Sequence, residues 1–431
     1  MSAVEGWITK RFDEIGTIFS GSTPSTSVRA FWNGEIVWVT PNDLSKLNTP
    51  YLSDSDKHIT VKGLDGCSAH LLPAGSIVMS SRAPIGYVAI PTVEFCTNQG
   101  CKSIQLKDNF NAEFTYYNIV FNIDKVKNLG EGTTFAEISK AALSTVELTF
   151  PFSKLEQTKI AEILSTVDRA IEQTEALIAK QQRIKTGLMQ DLLTRGIDEH
   201  GNLRSEQTHK FKDSPLGRIP VEWKVEELNL RALVKGGKRL PVGHVYAEGD
   251  TRCRYLQTTD FISKRLIYNS LHYLFTKTFR VLERYEITDG DVFISIAGVN
   301  LGVAGVFRPD FDDRTILTEN AARIHILTDD LPEYLAMQLN GSTVQMQILE
   351  DKGIGAGVPK LALFRIQQFL IPWPKQEEQM KIVQRLQFFD GSMQNQKEVL
   401  AKLRSLKTAL MQDLLTGKKR VTALLKKEGP P

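Results

Sequence analysis

The sequence lacks the marks of several large protein classes. No stretch reaches the roughly 18 consecutive apolar residues that a membrane-spanning helix needs, so no span is expected. The opening residues, MSAVEGWITKRF, hold no apolar core of the kind a secretory leader carries. Cysteine is scarce. Cys67, Cys96, Cys101 and Cys253 form no C-x-x-C pair and come with no matched histidine pair, which points to reduced thiols in a cytoplasmic protein, with neither a disulfide frame nor a metal site. A net charge of +3 over 431 residues neither demands nor excludes a nucleic-acid partner. Catalytic signatures are missing too. There is no G-x-x-x-x-G-K-[ST] phosphate loop, no H-E-x-x-H, no G-x-S-x-G and no Asn/Asp-Pro-Pro-aromatic loop. GIGAGVPK (353–360) lacks the strand, helix and downstream acid of a dinucleotide site and reads as a backbone turn. The seven histidines are scattered and read as structural or exposed.

What is present is a repeat. LMQDLLT occupies residues 188–194 and returns at 410–416, a shift of 222. At that shift Lys159 aligns with Lys381, Ile160 with Ile382, Leu164 with Leu386 and Asp168 with Asp390, without a gap. Fainter matches lie upstream in the same order: WVTPNDLSK (38–46) with YLQTTDFISK (255–264), PAGSIVMSSRAPIGYVAI (73–90) with TDGDVFISIAGVNLGVAGVF (288–307), CTNQGCKSIQL (96–106) with LTENAARIHIL (317–327), and GEGTTFAEISKAAL (130–143) with GIGAGVPKLALF (353–364). A proline stop precedes each copy of the ladder. The chain therefore follows one plan twice, a globular domain and then a helix.

The repeated segment is helical by pattern. Residues 153–195 hold no proline and one glycine, and Ser153 with Glu156 has the spacing of a capping box. Pro374 suits the first turn of the second copy. Leu164, Ile171 and Ile178 recur every seven residues, as do Leu386, Met393 and Leu400. A helix of this span is about 65 Å long at about 1.5 Å per residue, longer than one small domain covers. Antiparallel pairing of the two helices is expected, giving a rod with a globular domain near each end. A parallel pair would force residues 196–215 back along the whole rod, which they could barely span at about 3.3 Å per residue. A simple dimerisation coiled coil needs only one copy.

These features resemble the specificity subunit of type I restriction-modification systems. The resemblance rests on two variable domains each followed by a long helix ending in LMQDLLT, on Trp7 and the IPVEW of 219–223, on SGSTPS (20–25), CTNQG (96–100), the proline exits and the linker GIDEHGNLR. It covers nearly the whole chain. It implies an α+β fold with a pseudo-two-fold internal repeat: two similar mixed α/β target-recognition domains joined by two long antiparallel coiled-coil helices. The expected segments are domain 1 at 1–152, helix 1 at 153–196, a linker at 197–216, domain 2 at 217–373, helix 2 at 374–420 and a tail at 421–431. The implied role is non-catalytic. Each domain reads one half of a split, asymmetric DNA site, and the helices act as a ruler for the gap. Two methyltransferase subunits and two motor-nuclease restriction subunits join, and S-adenosylmethionine, ATP and Mg²⁺ belong to those partners, none to this chain. A specificity subunit of another methyltransferase-nuclease type, a protein-binding coiled-coil scaffold, and an enzyme with an unrecognised site are the rival readings.

Phosphate contacts call for Lys and Arg, and base edges for Arg, Asn, Gln, Ser and Thr. Between Lys235 and Arg284 ten Lys/Arg face four acids, a solvated face or a phosphate-facing one. The expected DNA contacts are Lys46, Ser80, Ser81, Arg82, Asn98 and Gln99 in the first domain. In the second they are Lys238, Arg239, Thr258, Thr259, Lys264, Arg265 and Asn300. Asp43 and Asp260 read as turn or cap formers. Leu188, Met189, Leu192 and Leu193, with Leu410, Met411, Leu414 and Leu415, give an apolar arc wider than a two-helix seam. Their outer edge is expected to bind the methyltransferase subunits.

Overall fold

The computed structural model describes residues 4–130, 137–262, 265–266, 272–350 and 360–425. Two units emerge, residues 1–177 with 396–431 and residues 178–395. Two long helices, Lys154–Thr194 and Gln376–Leu414, each give one part to the first unit and the other part to the second. Both units are thus partly assembled from the ends of these helices.

The first unit begins with strand Trp7–Arg11, antiparallel to Glu147–Pro151. A five-stranded sheet follows in the order Gly16–Ser20, Cys101–Leu106, Ile77–Ser80, Val88–Pro91, Tyr51–Leu52. A second sheet sets Trp32–Val39 parallel to Phe95–Thr97 and antiparallel to His58–Ile59. Ile77–Ser80 is buried at all four residues. Its alternation sends Ile77 and Met79 to a core with Phe12, Phe114 and Phe150, and Val78 to another with Val39, Leu52 and Phe95. That explains an apolar run in place of an alternating one.

The second unit repeats this design. Lys224–Glu227 pairs antiparallel with Leu370–Trp373. Ala232–Gly236, Ala321–Ile326, Val292–Ser295 and Ala304–Val306 form one sheet in that order. Cys253–Leu256 runs parallel to Arg314–Leu317 in another. The fully buried Val292–Ser295 again divides its side chains, Val292 and Ile294 to one core and Phe293 to another.

Within each unit the two helices run antiparallel. In the first, Asp168 pairs with Lys407 at 2.6 Å and Glu175 with Arg404 at 2.6 Å. In the second, Lys185 pairs with Asp390 at 2.5 Å and the Gln181 amide donates to the Ser392 hydroxyl at 3.3 Å. Asp168 and Asp390 are one position in the repeat, and so are Lys185 and Lys407. One charge pair is therefore written twice, in reciprocal form. Along the seam Leu164, Leu386 and Met393 are buried, whereas Ile171, Ile178 and Leu400 are half-buried.

The heptapeptide itself serves the units. Leu192 and Leu193 lie in one core with Trp223, Ile219 and Tyr334, and Leu188 and Met189 pack against it. Leu414 and Leu415 lie in a core with Trp7, Phe12 and Phe150, with Leu410 and Met411 against it. Leu192, Leu193, Leu414 and Leu415 are thus spent inside the units, whereas Leu188, Met189, Leu410 and Met411 stay half-buried. The arc is wide because it meets a second helix on one side and a sheet domain on the other. Each fully buried leucine contributes about 1.5–3 kcal/mol to that closure.

After the heptapeptide the chain turns at Gly196 (φ +67°) and Gly417 (φ +71°), a left-handed exit suited to glycine. It then returns an arginine to the first turn of the opposite helix. Arg420 donates to both carboxylate oxygens of fully buried Glu156, from Nε at 2.6 Å and Nη2 at 2.7 Å. Arg204 grips both oxygens of Glu378, which also accept from the Ile197 amide at 2.9 Å and the Trp223 indole at 3.2 Å. Glu156 thus spends its carboxylate on Arg420, not on a capping box. One residue on, Gln157 accepts from the Asn111 amide at 2.8 Å and donates to the Pro151 carbonyl at 3.0 Å. Gln379 does the same with the Leu331 amide at 2.9 Å and the Pro374 carbonyl at 3.0 Å. These glutamines tie each long helix to a helix earlier in its own unit, Ala112–Phe121 or Pro332–Asn340.

Candidate nucleic-acid interface

Three loops converge at one end of the sheet in the first unit. The strand Gly16–Ser20 runs on into Gly21, whose Cβ, if present, would fall 2.0 Å from the Asn98 carbonyl. Ser22 donates its amide to the Thr97 carbonyl at 2.9 Å, and the Trp38 indole donates to the Ser22 carbonyl at 3.0 Å. The second unit matches bond for bond. A Cβ on Gly237 would lie 2.1 Å from the Thr318 carbonyl. Lys238 donates its amide to the Leu317 carbonyl at 2.9 Å, and the Tyr255 hydroxyl donates to the Lys238 carbonyl at 2.8 Å. The frame is common to both units, and the residues on it differ: half-buried Ser22 and Thr23 with exposed Gln99 in one, exposed Lys238 and Arg239 with half-buried Glu319 in the other. Thr23 donates to the Gln99 side chain, and Arg239 donates to Glu319 at 2.8 Å.

The expected contact residues distribute unevenly over this surface. Ser80 and Ser81 are buried. Ser80 donates to the Pro84 carbonyl at 2.8 Å and accepts from the Tyr87 amide at 3.0 Å, and Ser81 accepts from Lys102 at 3.4 Å. They shape the turn, and the residue it presents is Arg82, a correction to reading all three as contacts. Both the Ser81 and Arg82 amides donate to the Gly100 carbonyl, which brings this turn beside Asn98 and Gln99. Asn98 accepts from the Gly100 amide at 3.0 Å, and Gln99 is exposed. Lys46 is exposed in part and paired with Asp56.

In the second unit Asn300 donates to the Thr258 carbonyl at 2.9 Å, joining two of the expected loops, and Thr259 is exposed beside them. Lys238 is exposed. Arg239 has 79% of its side chain exposed, and its hydrogen bond to Glu319 raises its pKa above the ordinary arginine value. Burial pulls Glu319 upward, yet the bonds from Arg239 and the Thr318 hydroxyl leave it below the usual carboxylate range. Lys264 lies outside the described residues, and of Arg265 only the backbone, in strand Arg265–Leu266, is described. Asp43 and Asp260 cap their turns, accepting from the Thr40 amide at 2.8 Å and the Gln257 amide at 2.7 Å.

The basic window is less cationic than its sequence. Asp313 takes Arg254 at 2.6 Å and Arg252 at 3.6 Å, and Glu319 takes Arg239, so acids from later in the chain neutralise part of the surplus. Among the described residues no helix is long and apolar enough to cross a membrane, and no group of three or more His, Cys, Asp or Glu is placed to hold a metal.

Residues 4–181 match the family model described as "Type I restriction modification DNA specificity domain". Over 441 aligned residues the chain is 29% identical to the type I restriction enzyme MjaIX specificity subunit of Methanocaldococcus jannaschii, covering 97% of this chain and 94% of that one. It is 25% identical over 211 residues to the EcoR124I/EcoR124II specificity subunit of Escherichia coli, 47% of this chain and 46% of the relative. Among solved structures it shares its fold with the type I restriction-modification S subunit from M. genitalium, at a TM-score of 0.58 and 16% identity over 96% of this chain and 97% of the other. A chain from a structure titled for complex assembly and conformational transition of the type I R-M system superposes at a TM-score of 0.60, with 16% identity over 95% and 98%.

Proposed function

We propose that this chain is a type I restriction-modification specificity subunit that reads a split, asymmetric DNA sequence through one loop cluster in each unit. The supporting observation is the doubled loop frame with unlike side chains upon it. Equal frames present their residues to the duplex in the same way, and unlike residues select unlike bases. Ser, Thr and Gln at one cluster and Lys, Arg and Glu at the other therefore call for two different half-sites. Arg82, Asn98 and Gln99 act in the first unit, and Lys238, Arg239, Thr258, Thr259 and Asn300 in the second. In this reading the chain's role is positioning. Two methyltransferase subunits and two motor-nuclease subunits assemble with it in the cytoplasm and carry S-adenosylmethionine, ATP and Mg²⁺.

Nuclease protection of host DNA by the assembled complex tests this reading. Two protected segments flanking an accessible gap are expected. One continuous segment removes the split-site reading, and no protection at all favours a scaffold that binds only proteins.

A further inference from the structure

We infer that Glu137 is an internal counter-ion at a phosphate contact of the first unit, standing where a DNA phosphate sits in the complex, and that Lys360 makes the matching contact in the second unit without one. The inference rests on the DNA-reading role proposed above.

Two isolated bridges occupy equivalent places. Arg82 pairs with Glu137 and Ala297 pairs with Lys360. The flanking bonds agree, Ile138 amide to Ser81 carbonyl at 2.8 Å and Leu361 amide to Ile296 carbonyl at 2.9 Å. Sheet register supplies the third member of each set. Lys102 lies opposite Ser20 and Met79, and Ala322 lies opposite Gly236 and Ile294. The first unit thus places Arg82, Lys102 and Glu137 where the second places Ala297, Ala322 and Lys360. Two cations with one anion stand against one cation, and the net charge at both places is +1.

The geometry gives Glu137 its role. Its Oε2 lies 2.9 Å from Arg82 Nε, and its Oε1 lies 3.6 Å from Lys102 Nζ. The Lys102 side chain is only 6% exposed, so its ammonium needs an anion at all times. Arg82 and Glu137 are 46% and 39% exposed, at the rim where the turn meets solvent. Phosphate matches a carboxylate in charge and in the fork it offers to a guanidinium. Exchange of one for the other keeps both cations paired. Until then the carboxylate mutes the turn toward other polyanions, a repulsive element that sharpens selection. Lys360 is exposed and needs no such partner.

The test is duplex binding by the full chain in its purified complex, with a mixed-sequence duplex as probe and salt concentration as variable. One added phosphate contact steepens the slope of log affinity against log salt by about 0.9, which is about fivefold in affinity near 0.15 M salt. Glu137→Gln is expected to tighten binding and steepen the slope by those amounts, Glu137→Asp to restore the starting values, and Lys360→Gln to flatten the slope by about 0.9. An unchanged or flatter slope with folded Glu137→Gln overturns the inference, as does an unchanged slope with Lys360→Gln. If Glu137→Gln does not fold, Arg82→Gln keeps the Glu137–Lys102 pair and must flatten the slope; no change again overturns the inference. Failure of the unaltered complex to bind any duplex at low salt removes the DNA-reading role itself, a separate result.

Discussion

Replacing Arg420 with Met strips fully buried Glu156 of both its guanidinium bonds, at 2.6 and 2.7 Å. Breaking a buried ion pair on one side costs about 3–5 kcal/mol, because a desolvated charge stays behind. The Arg420 side chain is 31% exposed, so water enters the vacated place, and the lower end, about 3 kcal/mol, is expected. In a unit of this size that lowers the melting temperature by roughly 6–12 °C. Arg420→Met should unfold earlier by tryptophan fluorescence, since Trp7 lies in the core that the arginine closes. Amide exchange should rise first around residues 154–165 and 415–425. Adding Glu156→Gln to Arg420→Met removes the stranded charge and should recover about 1–2 kcal/mol. A loss below about 0.5 kcal/mol would place the pair among exposed surface salt bridges and refute the reasoning. So would a double variant no more stable than the single one.

Three further outcomes follow from the same structure. Leu415→Ala is expected to cost about 2–5 kcal/mol in urea unfolding, since Leu415 is 3% exposed in the core around Trp7 and Phe12; a stable chain with only weakened subunit assembly would restore the outward-facing reading. Burial pulls Asp330 upward, but the Thr328 hydroxyl, Arg231 and the Gln379 amide hold its pKa below the ordinary value. Its contribution is therefore present above about pH 4 and is lost as pH falls through the lower folded value, so the urea midpoints of the unaltered chain and Asp330→Asn should converge on acidification; a constant gap contradicts this. Burial pushes the Cys96 thiol up to about 12 and holds Cys101 higher still, and Cys253 is 8% exposed, so alkylation of the native chain at neutral pH should label Cys67 first; equal labelling of all four disagrees.

The sequence carried the repeat, the α+β class and the antiparallel helices because periodicity and a fixed shift are local, countable signals. Asp168 and Asp390 aligned at 222 residues and became reciprocal ion pairs with Lys407 and Lys185. The same shift aligns Glu156 with Glu378 and Gln157 with Gln379, which would have singled out both tethers had the polar matches been weighed beside the apolar ones. Arg204 and Arg420 escaped notice because they sit in unlike tails, one in a linker and one near the chain end, where nothing local names a partner far away. The leucine arc was visible, but its covering was not. Apolar width says that two surfaces meet a helix, and only the fold says that the second belongs to the same unit. The candidate contact loops rest on residue type, which does not separate Ser80, consumed by its own turn, from Arg82 beside it.

Mapping of methylated adenines in host DNA, with the gene intact, deleted, and carrying a relative's residues 217–373, tests the central claim most directly. The account predicts a split motif that vanishes on deletion and changes in only one half on exchange. A methylation pattern indifferent to the gene, or an exchange that alters both halves together, contradicts it.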